Sequence, residues 1–136
     1  MKYKRVEHVA MAVNNLDEVR EIFENKLGLK LDYIESFPQY GTRMAMYPVG
    51  ETCLEVLEGV STSDPAKWIA QHGQSLYHIC LEVEDIDATF AELKGKGLRF
   101  LSEAPMEGHA KSRIAFIDPS STGNILIEIA QLAAGH

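Results

Sequence analysis

Apolar residues, interrupted by Glu7 and His8, fill "VEHVAMAV", residues 6–13, and their β-favouring content predicts a strand, with its period of two, bounded by Asn14-Asn15. The period then changes. In "NLDEVREIFENKLG", Leu16, Val19, Ile22, Phe23 and Leu27 recur at helical spacing, so these residues predict an amphipathic helix with one inward face. Asn14 or Asn15 can cap its start, Asp17 and Glu18 suit the dipole of its first turn, and Gly28 stops it. Three strands are expected next, over 29–35, 42–48 and 51–57, with the turn "PVGE" between the last two.

The second half repeats this order. A strand is expected over 76–83 and a helix over 86–96, with Ile86, Phe90 and Leu93 inward and Gly97 as its stop. Strands over 98–101, 112–117 and 124–130 follow, with "DPSSTGN" as the turn before the last. His8 and His78, Val13 and Val83, Leu16 and Ile86, and Asp17 and Asp87 are each 70 positions apart (78 − 8 = 70). The chain therefore reads as βαβββ written twice: module one over 1–60, a linker over 61–75 and module two over 76–136, in a single domain. The linker is expected to hold a short helix over 65–71, with Pro65 in its first turn. Three consecutive strands per helix favour an α+β fold over a parallel doubly wound sheet.

Composition narrows the function classes. The 136 residues suffice for one sizeable core, and 46% hydrophobic with 24% charged residues is ordinary for a globular chain. No apolar run approaches the roughly 20 residues of a membrane span. "MKYKRVEHV" lacks the apolar stretch of a secretory signal, and the two cysteines make no disulfide framework, so a cytoplasmic protein is expected. A net charge of −7 argues against nucleic-acid binding.

Four polar residues carry the candidate chemistry. Side chains two apart share a strand face. Val9, Met11 and Val13 then face the helix, leaving His8 with Ala10 and Ala12 on the other side. The same alternation separates His78, Cys80 and Glu82 from Ile79, Leu81 and Val83, and Cys53, Glu55 and Leu57 from Leu54 and Val56. It likewise sets Glu128 apart from Ile127 and Ile129. Each module thus carries one His on its first strand and one Glu on its last. His8, Glu55, His78 and Glu128 could meet around one divalent ion such as Co, Mn, Ni or Zn, with waters completing six coordination. The lack of thiolate in that set argues against a closed structural zinc site. Cys53 and Cys80 are expected to be small buried fillers, and His72, His109 and His136 are not expected to be ligands.

On these residues, and on "HVAMAVNNLDEV", "VGETCLEVLEG", "YHICLEVEDIDATFAELKGKG" and "HAKSRIAFIDPSSTGNILIEIAQ", the chain resembles the vicinal oxygen chelate (glyoxalase/bleomycin resistance) superfamily. Within that superfamily it is most similar to the methylmalonyl-CoA epimerases. The resemblance implies two tandem βαβββ modules forming a curled mixed sheet around a metal cleft. It also implies epimerisation of the 2-epimers of methylmalonyl-CoA, or a close acyl-CoA, by α-proton abstraction through a metal-stabilised enolate. Glu128 would carry a proton on one face of the α-carbon. The family places a second carboxylate in a segment that here reads "FPQYG", where the matching position is Gln39. An amide cannot take a proton as a carboxylate does, so Glu35 or a metal-bound water is expected to substitute. His109, Lys111 and Arg113 could approach the phosphate or pantetheine of coenzyme A. A homodimer is expected, since strand edges need cover. Two other readings remain: a glyoxalase I-like lyase acting on a thiol hemithioacetal, and a metal-free ligand-sequestering protein of the same fold.

Overall fold

The structure, a computed structural model, describes residues 3–134. Two compact units emerge: residues 8–77, and residues 3–7 together with 78–134. The chain crosses between them immediately before each strand histidine, His8 and His78.

The first unit carries the strand β1 (Tyr3–Ala12) from His8 onward, then the helix α1 (Leu16–Arg20) and β2 (Tyr33–Phe37). β3 (Thr42–Val49), β4 (Thr52–Gly59) and the helix α2 (Asp64–His72) complete it. Its strands run in the order β2-β3-β4-β1, with β1 parallel to β4 and the other pairs antiparallel. The second unit contains β5 (Ser75–Val83) from His78 onward, α3 (Ile86–Gly95), β6 (Met106–Glu107), β7 (Arg113–Ile117) and β8 (Ile127–Gln131). Its order is β5-β8-β7-β6, with β5 parallel to β8 and the rest antiparallel. Each unit is therefore a mixed sheet with one parallel pair, the arrangement the repeated order of elements requires.

Alternation fixes the two sides of each sheet. In the first unit Val13, Leu16, Val19, Ala45, Tyr47 and Val56 form the helix-side core. Phe37, Met44, Met46 and Leu57 cluster on the other side. In the second unit Val83, Ile86, Phe90, Ala115 and Ile129 form the helix-side core, and Cys80, Ile114 and Ala130 lie opposite.

Several element bounds differ from the sequence reading. Ile22 and Leu27 are 44% and 62% exposed. Residues Glu21–Lys26 take a π-helical turn, and Leu27 N–H donates to the Ile22 carbonyl, which rotates both side chains off the inward stripe. The strand expected over 98–101 is a single bridge, Phe100 to Ile117. Phe100 instead stacks on Phe90 at 4.0 Å between ring centroids, and the paired segment is the two-residue β6. Asn124 sits at φ 67°, so the last strand begins later, at Ile127. No helix among the described residues is long and apolar enough to cross a membrane.

Candidate functional site

The two strand histidines are placed by the same local device. In the parallel pair β1/β4, Ala10 stands opposite Glu55; in β5/β8, Cys80 stands opposite Glu128. Each histidine lies two residues before that register position, so it shares a face with the glutamate and reaches it diagonally. His8 Nε2 lies 3.6 Å from Glu55 Oε1, and His78 Nε2 lies 3.1 Å from Glu128 Oε1. All four residues are buried, between 1% and 6% exposed. Phe116 meets the His78 ring edge-on at 5.0 Å between centroids and shields it from water.

The donor set suits a divalent ion. Two ligand atoms about 2.1 Å from one metal stand roughly 3.0–3.4 Å apart at octahedral to tetrahedral angles. The His78–Glu128 pair, at 3.1 Å, falls within that range, and the His8–Glu55 pair, at 3.6 Å, stands slightly wider, with an imidazole nitrogen facing a carboxylate oxygen in each. A buried carboxylate also needs a compensating charge, which a cation supplies.

The remaining site residues fall in different settings. Glu35 is half-buried on β2, opposite Met44, and Met44 is opposite Leu57. It alternates with Tyr33 and Phe37, which pack with Met44 and Met46 on the Glu55 side of the sheet. Gln39 is exposed in the turn between β2 and β3. His109 is buried, its Nε2 2.9 Å from Glu7 Oε1. The Arg113 guanidinium donates two hydrogen bonds to Asp87, at 2.7 and 2.9 Å, and holds that carboxyl below its usual range. Lys111 is exposed. Cys80 is fully buried and Cys53 half-buried, and neither is in a disulfide. His72 ends α2 against the Trp68 ring, and His136 lies outside the described residues.

Three further polar residues are buried. Glu7 is buried although simple alternation sets it opposite His8. Ser112 is buried with Oγ 3.5 Å from His109 Nδ1. Glu82, which alternation sets on the face of His78 and Cys80, is buried and accepts from Arg5 Nε at 2.6 Å, with Lys4 Nζ at 3.4 Å. The signal available was the density of charge in "KYKRVEH", with Lys4, Arg5 and Glu7 close together in a strand that is half inside.

A sequence profile of the Glyoxalase/Bleomycin resistance protein/Dioxygenase superfamily matches residues 7–116. The chain is 30% identical over 129 residues to the mitochondrial methylmalonyl-CoA epimerase of Bos taurus, covering 93% of this chain and 74% of that protein. Among solved structures, a methylmalonyl-CoA epimerase in complex with methylmalonyl-CoA and NH4+ is 30% identical with a TM-score of 0.93. That match covers 98% of this chain and 97% of the other. A variant of the Streptomyces coelicolor methylmalonyl-CoA epimerase, in complex with 2-nitronate-propionyl-CoA, matches at the same identity, TM-score and coverage. The chain thus belongs to the glyoxalase/bleomycin resistance protein/dioxygenase superfamily, shares its fold, and is an isomerase of the epimerase type within it.

Proposed function

We propose that this protein interconverts the 2-epimers of methylmalonyl-CoA, or of a close 2-branched acyl-CoA, with one divalent ion held by His8, Glu55, His78 and Glu128. The observation that carries this reading is the repeated His–Glu pair, buried in equivalent register in both modules. Co, Mn, Ni or Zn would fit the nitrogen and oxygen donors. Such an ion would supply positive charge beside the substrate oxygens that become negative when the α-proton leaves.

The chain's own groups move the proton. Glu128 accepts it on one face of the α-carbon and returns it there. Glu35 serves the opposite face. Supporting this, Glu35 stands on the Glu55 side of the sheet, one side-chain row from the line that joins Glu55, Met46 and Tyr33. Gln39, at the exposed turn, can hydrogen-bond a substrate carboxylate but cannot take its proton. Of the three groups suited to coenzyme A, Lys111 keeps an exposed cation for phosphate, while His109 is directed to Glu7 and Arg113 to Asp87. The same reading takes the protein as a single-domain cytoplasmic homodimer, and light scattering of the purified protein tests the dimer.

The deciding experiment combines metal analysis of protein purified without chelator with methylmalonyl-CoA turnover in D₂O. One equivalent of divalent metal is expected, with α-proton exchange and epimerisation keeping pace. Glu35→Gln should leave exchange running ahead of epimerisation. Exchange already ahead in the unmodified protein would remove Glu35 from the role. Metal bound with no exchange at all would reject an acyl-CoA substrate and favour a glyoxalase-like lyase.

A further inference from the structure

We infer that Glu7 and His109 form a positioning clamp that holds the β6–β7 turn, and that this turn walls the acyl site. The second clause rests on the epimerase reading; the first does not. Glu7 and His109 are 4% and 5% exposed, and 2.9 Å separates His109 Nε2 from Glu7 Oε1. Burying a carboxylate and an imidazole together is costly unless their geometry is used, so the pair needs a reason. The turn supplies one. Ala110 and Lys111, two successive residues with side chains, sit at φ 48° and 60°, a left-handed backbone that persists only where the surroundings impose it.

The restraints on that turn can be followed atom by atom. Gly108 N–H donates to the Ser112 carbonyl and Ser112 N–H to the His109 carbonyl, both at 2.9 Å, closing the turn on itself. A Cβ at Gly108 would stand 2.6 Å from Ile114 Cγ2 and 2.9 Å from Ser112 Oγ, so the turn is pressed onto the start of β7. The His109–Glu7 contact ties it to a second strand, β1. Ser112, Ile114 and Phe116 alternate along one side of β7. Ile114 packs with Cys80 and Ala130, and Phe116 meets His78 edge-on. The clamped turn is therefore the end of the side-chain row that leads to the His78–Glu128 pair.

Trypsin reads the clamp directly, because Lys111 is exposed within the turn. Glu7→Gln and His109→Gln should each raise cleavage after Lys111 about tenfold, since proteolysis tracks the population of the opened turn. The double variant should cleave no faster than either single one, as two halves of one contact do. In epimerisation, each variant should raise KM for methylmalonyl-CoA about fivefold while kcat changes by less than about twofold, the pattern of lost binding geometry rather than lost chemistry. If a Gln variant does not fold, Glu7→Asp keeps the carboxylate but withdraws it, and should show both effects at smaller size. Unchanged cleavage, or additive effects in the double variant, overturns the clamp. Raised cleavage with KM unmoved overturns the wall. A wild type that does not epimerise methylmalonyl-CoA removes the wall assignment with the epimerase reading, and the proteolysis results still decide the clamp.

Discussion

The two modules share their inner parts and differ in their outer ones. In the first, Asn15 Oδ1 caps α1 by accepting from Glu18 N–H at 3.1 Å; in the second, Asp85 Oδ1 accepts from Ala88 N–H at 3.1 Å. Leu16 N–H donates to the Glu58 carboxylate at 2.7 Å, and Ile86 N–H to the Gln131 side chain at 2.9 Å. Glu58 and Gln131 each lie three residues beyond the paired glutamate, so one strand end both presents that carboxylate and anchors a helix start. The outer parts diverge. The first module's helix passes into a π-helical turn, and its second strand is a full ladder; the second module keeps a regular helix, and its second strand shrinks to β6. The parallel strand pair and the cap hold His and Glu in place, so the far end of the helix can change without moving them.

The largest effect should come from removing a proposed metal ligand in either module. His8→Ala and His78→Ala should each weaken metal binding by more than about 100-fold, beyond the 10–100-fold typical of losing a group that only orients a ligand. Competition with a chelating dye measures it, and wild-type affinity in both variants would place the metal elsewhere. The glutamates should then break the symmetry. Glu128→Gln removes a base and should cost about 10²–10⁴ in turnover, whereas Glu55→Gln keeps an oxygen donor and should cost less. Equal losses would mean that both carboxylates act only through the ion.

Next in size is the core. Leu16 and Ile86 are both fully buried at equivalent positions, and truncating either to Ala should cost about 2–5 kcal/mol in denaturant unfolding. Ile22→Ala and Leu27→Ala, at exposed positions, should stay within about 0.5 kcal/mol of wild type. A large loss at Ile22 would contradict the π-helical turn.

These pairs also show what was legible in the sequence. Period and the Asn15 cap marked individual elements, because those signals are local, and the 70-residue repeat showed the same order of elements recurring. The His–Glu pairs followed from alternation, which has only two outcomes per residue. The π-helical turn was hidden because "REIFENK" satisfies a 3.6-residue stripe on paper, and its rotation depends on where Phe23 and Leu29 pack. Glu7 was hidden for a related reason. Its partner His109 is a hundred residues away in sequence (109 − 7 = 102), and no periodicity reports such a contact.

A smaller effect, confined to one module, should appear at high pH. Tyr47 is buried and donates to Glu24 Oε2 at 2.8 Å; burial first, then Glu24, pushes its phenol up to about 12. Ile117 occupies the matching register of the second module, opposite Ile127 as Tyr47 is opposite Leu54. An unfolded tyrosine ionises near pH 10, so this contribution is complete below that pH and fades as pH rises through about 12. The loss should be on the order of 1 kcal/mol, less than the full shift implies, because Glu24 and its partner Arg20 remain open to solvent. Denaturant midpoints at pH 8 and pH 11 measure it. Tyr47→Phe should be less stable at pH 8 yet lose less between the two, and an equal loss in both proteins would assign the alkaline effect to other groups.

The smallest effect separates two cations inside the second module. Arg113 is committed to Asp87 through two hydrogen bonds, while Lys111, two residues earlier, is exposed. A flexible ammonium in solvent can meet a coenzyme A phosphate as a point charge, at the cost of little more than its own side-chain entropy. Arg113 would first have to leave Asp87. Lys111→Gln should therefore raise KM for the acyl-CoA about two- to fivefold, an amount set by one screened charge contact. Arg113→Gln should change it by less than about twofold on the same reasoning. Raising the ionic strength toward about 0.5 M should erase the Lys111 difference, because an exposed contact is screened over a few ångströms there. If Arg113→Gln proves the larger of the two, the Asp87 pair opens when substrate binds, and the outer face of α3 belongs to the coenzyme A site.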